Sequence, residues 1–280
     1  MVIHTLSELT AADLAAVFNT AFEGYFLPIR LSEQQMADKI KSENIRLDYS
    51  VGVTIDDRLA GFILTGIDKD HQQTISYNAG TGVIPEFRGL KLTEKMYDYL
   101  LPILKKQNIR KHQLEVITEN TKALKIYQHI GYQITKTVSS FKGKIIAPSK
   151  ELTYEFVKLD LTEDRLVQSF WNHFPTYQNT LSSINRNKEL HEILGIYANK
   201  QLIAYIIYTK GTLRIKQFGV HPNYRNNGIG HQLFYEVQKT NPDTDLVLIN
   251  IGNTDDITHS FLKKIGMDII IEQFEMVLQN

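Results

Sequence analysis

The feature that most constrains the fold is a motif that occurs twice in the chain. Val83-Ile84-Pro85-Glu86-Phe87-Arg88-Gly89 is matched, about 137 residues later, by Val220-His221-Pro222-Asn223-Tyr224-Arg225-Asn226. An apolar stretch precedes each copy and a helix-like stretch follows it. About 40 residues further on, an Ile-Gly pair closes each half, at Ile130-Gly131 and Ile265-Gly266. A period of this length matches a whole domain rather than a solenoid repeat, so the sequence predicts two related domains in tandem.

The composition fits two such domains and argues against several classes of protein. The 280 residues suffice for two domains of about 140. The net charge is zero and no basic block stands out, so we do not expect a nucleic-acid partner. The chain has no cysteine, which excludes disulfides and a thiolate nucleophile and is typical of a reducing cytoplasm. Since Met1–Thr5 does not resemble a secretory signal and no run of about 18 apolar residues occurs, we predict a cytoplasmic protein without a membrane partner.

Hydrophobic periodicity predicts alternating strands and helices in the first half. Predicted strands are Met1–Thr5, Asp48–Thr54, Arg58–Asp68, Thr74–Val83, His112–Thr118 and Tyr132–Lys142. Predicted helices run through Ala16–Phe22 with Ser7 or Thr10 as the cap, over Leu31–Ser42, from Leu92 to Ile103, and over Asn120–Ile130. The Asp56-Asp57 pair is predicted to form a hairpin turn.

The second half repeats this order. Predicted strands are Leu152–Leu159, Glu192–Ala198, Leu202–Thr209, Leu213–Val220 and Leu246–Ile251. Predicted helices are Glu163–His173, Thr180–Arg186, Ile229–Lys239 and Asp256–Lys264. The short, polar, proline-containing stretch 147–150 marks the boundary, which gives predicted domains at 1–146 and 151–280.

The loop after the second copy carries the strongest chemical signal. Arg225-Asn226-Asn227-Gly228-Ile229-Gly230 lies between a predicted strand and a predicted helix. Glycines at such a turn let backbone N–H groups point inward, and the helix N-terminus adds positive potential, a combination that suits a pyrophosphate. A plain glycine turn is the alternative. The binding interpretation gains weight because the whole block occurs twice.

Together these blocks resemble the Gcn5-related N-acetyltransferase (GNAT) family. The pattern Arg-x-x-Gly-x-Gly after Val-x-Pro-x-Tyr is similar to that family's coenzyme A pyrophosphate loop. Leu114–Asn120, followed by Ala123, Tyr127 and Gly131-Tyr132, is similar to its second motif. The resemblance covers both halves almost end to end. It implies an α+β (mixed α/β) fold of two tandem GNAT-like domains, each with a mixed, mostly antiparallel sheet, a splayed pair of parallel strands and flanking helices.

The resemblance also implies the reaction, which is transfer of an acetyl group from acetyl-CoA as co-substrate to an amine, without a metal. In this family a splay between the fourth and fifth strands exposes backbone N–H groups that bind the thioester oxygen. The corresponding edges here are Gly82–Ile84 and Gly219–His221. Such donors stabilise the tetrahedral intermediate as charge develops on oxygen. The implied acceptor is a primary amine of a small molecule or peptide, and the oligomeric state stays open.

Two residues of the second motif carry implied roles, because the family's Asn and helical Tyr face the pantetheine and thiol of the cofactor. These are Asn120 and Tyr127. A phenol has a pKa of about 10 and a thiol of about 8.5, so full proton transfer from Tyr127 to the leaving thiolate is uphill by roughly 2 kcal/mol. We therefore predict that Tyr127 donates a strong hydrogen bond. Packing on the apolar face of its helix is the alternative.

The two halves differ at the positions where chemistry is expected. Lys91 and Thr93 replace both family glycines in the first half, although backbone N–H groups survive such a replacement if the loop dihedrals suit other residues. The predicted cofactor-binding residues are Val83, Ile84, Arg88, Gly89, Leu90, Lys91, Leu92, Thr93 and Asn120 in the first half, and Val220, Arg225, Asn226, Asn227, Gly228, Ile229 and Gly230 in the second.

The second half keeps the glycine loop but has Leu262 in the position of Tyr127 and Asp255 in the position of Asn120. We therefore predict catalysis in the first half. The second half would bind coenzyme A without turnover, form walls of the substrate site, or be a structural remnant. Catalysis in the second half is the alternative and requires a different acid.

Glu115 is the candidate general base, because it lies on the strand beside the expected splay; a structural or solvent-facing role is the alternative. The acceptor pocket is predicted to involve Phe22, Tyr25, Phe26 and Tyr77, although the aromatic loop could be a small satellite core. A non-catalytic acetyl-CoA-binding or regulatory module is a rival function, since neither half keeps the complete motif set. A structural adaptor is a third and predicts no coenzyme A binding.

Overall fold

The structure, a computed structural model, describes residues 1–70, 73–150, 152–160, 167–172 and 174–279. The chain divides into two compact units. Unit 1 consists of Met1–Thr135 together with Phe274–Asn280, and unit 2 of Lys136–Gln273. Five of the eleven residues of the predicted helix Glu163–His173, namely 163–166 and 173, lie outside the described residues. Of the others, Val167 and Gln168 are helical, whereas the prediction is wrong for residues 169–172, which form a turn and an irregular stretch. The domain ranges 1–146 and 151–280 stay a prediction.

Unit 1 is a mixed sheet with four helices. Its elements are β1 Val2–Thr5, α1 Ala11–Ala21, α2 Glu33–Ser42, β2 Val51–Ile55, β3 Arg58–Asp70, β4 Gln73–Val83, α3 Leu92–Lys106, β5 Lys111–Ile117 and α4 Thr121–Ile130. The strands lie in the order β1-β2-β3-β4-β5, and the last strand of the chain, β12 (Asp268–Gln279), is the next neighbour of β5. Pairing is antiparallel from β1 to β4 and parallel between β4 and β5.

Unit 2 repeats this plan. Its elements are β6 Gln133–Gly143, β7 Phe156–Lys158, α5 Leu181–Arg186, β8 His191–Ala198, β9 Gln201–Thr209, β10 Arg214–Val220, α6 Ile229–Thr240, β11 Leu246–Gly252 and α7 Asp256–Lys264. The strands lie in the order β7-β8-β9-β10-β11-β6, with one parallel pair, β10 and β11. The predicted fold class, two mixed and mostly antiparallel sheets flanked by helices, is confirmed.

Two strands are divided between the units. Residues 133–135 of β6 belong to unit 1 and the rest of that strand to unit 2, whereas β12 begins in unit 2 and contributes Phe274–Gln279 to unit 1. Met276 and Leu278 of β12 are accordingly buried in the hydrophobic core of unit 1, with 0% and 7% of their surface exposed. The sequence did not predict β12.

The predicted elements differ from the structure mainly at their ends. The strand predicted from Asp48 begins at Val51, because Leu47–Tyr49 form a 3-10 turn whose Leu47 carbonyl accepts a hydrogen bond from the Leu6 N–H. The strand predicted from Leu152 is wrong over its first four residues and shrinks to Phe156–Lys158, since Leu152 packs on the core of unit 2 without pairing.

Local sequence signals explain the elements that matter for the site. Buried Leu92, Met96, Leu100 and Leu104 recur every four residues along α3 and place one helix face on the sheet. The Asp56-Asp57 turn is confirmed, since both residues have positive φ (48° and 60°), as the turn of a two-residue hairpin requires. In the part of the chain that the structure describes, no helix is long and apolar enough to cross a membrane.

Candidate functional site

The two repeated motifs end in loops with the same backbone conformation. We call Arg88–Thr93 loop 1 and Arg225–Gly230 loop 2. Positive φ angles occur at Gly89 (85°) and Lys91 (55°) in loop 1, and at Asn226 (62°) and Gly228 (81°) in loop 2. Gly89 corresponds to Asn226 and Lys91 to Gly228, so the glycine stands at the first of these two positions in loop 1 and at the second in loop 2. Loop 1 has therefore kept its shape without the family glycines, and it holds a lysine in the left-handed region that glycine adopts freely.

Among the described residues, the helices that begin at these loops have no side-chain cap. Lys91 and Gly228 occupy the N-cap positions of α3 and α6, and their carbonyl oxygens accept the first helical hydrogen bonds, from Lys95 and Gln232, but neither provides a side-chain cap. The other five helices described above are capped by side chains of Thr10, Ser32, Asn120, Thr180 and Asp255. An uncapped first turn presents backbone N–H groups at the positive end of the helix dipole, which is an anion-binding geometry.

The arginine of each loop holds backbone carbonyls. Arg88 Nε donates to the Val83 carbonyl oxygen at 3.2 Å, and its Nη2 donates to the Ala21 carbonyl at 3.0 Å. Arg225 Nε donates in the same way to Val220 at 2.9 Å, and its Nη2 to Phe170 at 3.0 Å. Both guanidinium groups therefore fix the loop to the end of the preceding strand.

Both parallel strand pairs separate after a few residues. β4 and β5 pair over Ile75–Tyr77, and β10 and β11 over Arg214 and Ile215, so the remaining residues of β4 and β10 lie beyond each ladder. The N–H of His221 bonds back to Ile203 of β9 at 2.8 Å. Because N–H groups alternate along a strand, the N–H of Val220 faces the opened side. The equivalent residue of β4, Val83, has the same orientation, since the N–H of Ile84 bonds to Ala60 at 2.9 Å.

In unit 2 the opened side is a cavity of about 750 Å³. Loop 2 and the first turn of α6 form one end, the separated strands β10 and β11 form the walls, and α7 flanks them. The residues that line it from loop 2 and its two flanking positions are Tyr224, Arg225, Asn226, Gly228, Ile229, Gly230 and His231. The wall residues are Lys216, Gln217, Phe218, Gly219, Val220, Leu248, Asn250 and Ile251. Six of the seven cofactor-binding residues predicted in the second half therefore lie around one cavity, and the seventh, Asn227, is exposed on the loop beside it.

Amide and aromatic side chains gather where the two strands of unit 2 separate. Gln217 Nε2 donates to the Asn179 carbonyl at 2.5 Å, and Asn179 Nδ2 donates to the Ile249 carbonyl at 3.1 Å. Trp171 Nε1 donates to the Tyr205 hydroxyl at 2.6 Å, which fixes the indole at the cavity wall. The sequence reasoning missed these residues, because their positions depend on which side chains meet at the splay.

In unit 1 the corresponding region is filled by tyrosines. Tyr97, Tyr127 and Tyr132 are buried, with ring centroids 5.8–6.2 Å apart. Burial raises the pKa of Tyr127, and hydrogen bonds to Thr81 and Asn78 offset part of this effect. A raised pKa makes proton transfer from this phenol to a thiolate still less favourable than in water. A void of about 10 Å³, the size of a single water site, lies beside Tyr97 and Tyr132 between α3 and the sheet.

Asn120 of unit 1 acts as a helix cap. Its Oδ1 accepts from the Ala123 N–H at 3.1 Å, and its Nδ2 lies 3.4 Å from the Tyr25 hydroxyl oxygen. Tyr25 packs edge-on against Phe22 and Phe26, with ring centroids 5.0 and 5.3 Å apart. Of the predicted acceptor-pocket aromatics, Phe22, Tyr25 and Phe26 therefore pack together, with Tyr25 next to Asn120. Asp255 caps α7 in unit 2 by the same hydrogen bond, to Thr258.

The remaining two predicted residues of unit 1 contact each other. The Tyr77 hydroxyl donates to Glu115 Oε2 at 2.5 Å, and Tyr77 is 3% exposed. Glu115 is therefore engaged by a phenol, and Tyr77 is a buried partner of that carboxylate. Within the described part of the chain, no group of three or more His, Cys, Asp or Glu side chains is arranged to hold a metal ion.

Comparisons with known proteins agree with this double architecture. The sequence matches the model of the acetyltransferase (GNAT) family in two segments, residues 13–132 and 154–267. A search of curated protein sequences found no match.

Several solved structures share the fold. A GCN5-related N-acetyltransferase from Sphaerobacter thermophilus is 15% identical, with 99% of this chain and 95% of that chain covered and a TM-score of 0.73. A tandem GNAT protein from the clavulanic acid biosynthesis pathway is 12% identical, with 99% and 98% covered and a TM-score of 0.72. A glucosamine N-acetyltransferase region of a fungal multi-domain GH3 β-N-acetylglucosaminidase is 15% identical, with 98% and 38% covered and a TM-score of 0.71.

Proposed function

This chain belongs to the acetyltransferase (GNAT) family, with one matched segment in each half, and from this premise we propose that it is an N-acyltransferase that moves an acetyl group from acetyl-CoA to a primary amine of a small molecule or peptide. The observation that carries the proposal is the cavity of about 750 Å³ that joins loop 2 to the separated strands β10 and β11. The chain has no cysteine, and on this basis the proposed location of the protein is the cytoplasm.

We place the acyl-CoA site in unit 2. Loop 2 offers an uncapped helix N-terminus for phosphate, and the cavity beside it has room for the pantetheine arm. Val220 presents a backbone N–H to the opened side, where it would donate to the thioester oxygen. The proposal differs from the prediction of catalysis in the first half, which rests on Tyr127 and Asn120. That prediction stays the competing proposal. We favour unit 2 because the equivalent region of unit 1 is packed with tyrosines.

The protein contributes little covalent chemistry to this reaction. The amine nitrogen bonds to the carbonyl carbon, the carbon–sulfur bond breaks, and the proton lost by nitrogen ends on sulfur or in solvent. An alkylamine has a pKa of about 10.4, so it has to arrive as the free base. The groups of unit 2 that serve this step are the Val220 N–H, which would stabilise charge on the carbonyl oxygen, and the rigid walls that orient the amine.

A matched pair of substitutions tests which loop binds acetyl-CoA. Asn227 and Leu90 occupy equivalent exposed positions in loops 2 and 1. Asn227→Glu places a carboxylate beside the proposed phosphate site, and we expect it to weaken acetyl-CoA binding by about tenfold or more through like-charge repulsion. Leu90→Glu should leave binding unchanged. Calorimetric titration with acetyl-CoA measures both.

The opposite result, weaker binding for Leu90→Glu alone, would indicate that the acetyl-CoA site lies in unit 1. In that event Tyr127→Phe should slow thiol release, whereas under our proposal Tyr127→Phe is silent. Thiol release from acetyl-CoA is followed with glucosamine, lysine, spermidine and a dipeptide as acceptors. Binding without release for every amine would favour the non-catalytic acetyl-CoA-binding module, and no binding at all would favour the structural adaptor.

A further inference from the structure

One polar side chain in the wall of the unit 2 cavity has a buried atom without a partner. Asn250 lies on β11, lines the cavity and is 4% exposed. Its Oδ1 is buried and accepts no hydrogen bond from the part of the chain that the structure describes. A buried carbonyl-type oxygen without a hydrogen bond is destabilising, so such an atom calls for an explanation.

The backbone at Asn250 is also unusual for a strand. Its φ is 61°, and the register of β11 against β6 shifts between Leu248 and Ile251. This is a bulge, a device that re-aims one side chain within a sheet and is common beside active sites. Asparagine tolerates the left-handed conformation better than most residues. The bulge and the missing partner are independent observations on one residue.

The neighbouring amides are engaged elsewhere. Gln217 and Asn179 use their NH₂ groups to hold the carbonyls of Asn179 and Ile249, so they fix the geometry of the strand ends. Asn250 lies two residues past Leu248, the last residue of β11 paired with β10, and therefore at the narrow end of the splay. The N–H of Val220 belongs to the opposite strand.

The strand register sets Asn250 apart from unit 1. Tyr77 pairs with Gln113 across the parallel ladder of unit 1, whereas Arg214, the residue in the position of Tyr77, pairs with Val247 in unit 2. In this register Glu115, which accepts a hydrogen bond from the Tyr77 hydroxyl, corresponds to Ile249, and the bulge adds Asn250 beyond it. The carboxamide of Asn250 carries no titratable proton, so it is suited to binding rather than to proton abstraction.

We propose that Asn250 binds the acceptor amine at the narrow end of the unit 2 cavity, its Oδ1 accepting a hydrogen bond from the amine N–H. This inference rests on the proposed function, since it assumes that acyl-CoA occupies the same cavity. The proposed acceptor is a neutral primary amine with an N–H to donate. Asn250 then orients the nitrogen lone pair toward the thioester carbon from the wall opposite Val220.

The test replaces Asn250 by a residue that keeps the backbone conformation. Asn250→Gly removes the carboxamide and retains the left-handed φ without strain. With the best acceptor among glucosamine, lysine, spermidine and a dipeptide, we expect KM for the amine to rise about tenfold, as loss of one hydrogen bond implies. The dissociation constant for acetyl-CoA should stay within about twofold of the wild type. Asn250→Asp keeps an acceptor oxygen at the same place and should restore KM to near the wild-type value.

The control is the same change at a left-handed asparagine outside the cavity. Asn199 has a φ of 51° in the turn between β8 and β9 and is exposed, so Asn199→Gly should leave both constants unchanged. Equal KM values for the wild type and Asn250→Gly, or equal losses in Asn250→Gly and Asn250→Asp, would overturn the inference while leaving the proposed function intact. Failure of the proposed function has different signatures, which are unchanged acetyl-CoA binding in Asn227→Glu, or a wild type that binds acetyl-CoA but acylates none of the four amines.

Discussion

At the scale of single residues, several side chains that the sequence marks as ligands serve as anchors. Arg88 and Arg225 donate to strand-end carbonyls, and Asn120 caps a helix, as Asp255 does in the other unit. The sequence predicted that these positions matter, because the motif and its spacing occur twice. Sequence reasoning had no means to distinguish a contact with the cofactor from a contact with the backbone that shapes the loop.

Asn250 shows the converse case. Nothing in its own neighbourhood of sequence marks it, because a bulge and an unpartnered oxygen exist only once β11 is paired with β6. Counting back from the helix caps matches Asn250 with Glu115, but the extra residue of the bulge shifts the strand register, in which Glu115 corresponds to Ile249. A comparison of the two halves by sequence alone would therefore not have found it.

Buried histidine predicts how stability depends on pH. His112 is 1% exposed, its Nδ1 lies 2.7 Å from Ser76 Oγ, and burial lowers its pKa from 6.5 to about 4. Below pH 6.5 this histidine binds a proton in the unfolded chain but not in the folded chain. Its contribution to stability is therefore fully present above pH 6.5 and is lost as the pH falls toward 4. Between pH 7 and pH 4 we expect the free energy of unfolding to fall by about 3 kcal/mol more in the wild type than in His112→Asn.

Urea unfolding of wild type and His112→Asn over that pH range measures the effect. Some slope should remain in the variant, because burial and the nearby Lys216 and Arg214 also lower the pKa of His191, to about 4. Identical pH profiles for the two proteins would contradict the assignment.

At the scale of elements, periodicity and turn residues predicted most helices and strands. The long amphipathic helix α3 and the buried strand β9 follow from their own sequences, because α3 buries one repeating set of apolar side chains and β9 is a continuous apolar run that is buried on both faces from Leu202 to Tyr208. The segments that sequence reasoning missed or misplaced, β7, the start of β2 and all of β12, depend on partners far along the chain. Their own residues did not specify whether a strand partner would be present.

The exchange of glycine between the two loops predicts opposite effects of two substitutions. Lys91 holds a φ of 55°, so Lys91→Gly should relieve strain and raise the free energy of unfolding by about 0.5–1 kcal/mol. Gly228 has a φ of 81°, and a Cβ there would meet nothing closer than Leu152 at 3.7 Å. Gly228→Ala should therefore lower stability by about 1 kcal/mol through the dihedral alone.

Chemical denaturation of both variants is the measurement. If both changes destabilise, some feature other than the shared left-handed geometry governs one of the loops. If Lys91→Gly also creates acetyl-CoA binding in the Asn227→Glu background, strain at Lys91 is what keeps loop 1 from binding.

At the scale of the whole molecule, sequence order and compact units do not coincide. Unit 1 draws Phe274–Gln279 from the far end of the sequence, and Met276 of this segment has no exposed surface. We expect Met276→Ala to lower the unfolding free energy of unit 1 by about 2–5 kcal/mol. Ile270, on the part of β12 that belongs to unit 2, is 44% exposed, so Ile270→Ala is the control and should change stability by less than about 0.5 kcal/mol.

Hydrogen exchange locates the effect of Met276→Ala. The amides of β5, the neighbour of β12 in unit 1, should lose protection first. Loss of protection confined to β10 and β11 would show that the last strand supports unit 2 rather than unit 1.

The divided strand β12 also sets an order of events during synthesis. Ribosomes build the chain from its N-terminus, and domains commonly fold as they emerge. Unit 1 is nearly all translated by Thr135, yet its core lacks Met276 and Leu278 until the ribosome has passed them. Throughout translation of unit 2, the edge of β5 that β12 will cover is therefore unpaired, and an unpaired edge is open to pairing with other chains. The half that is made first is thus the half that finishes folding last, and a nascent chain stalled before Phe274 would carry it incomplete.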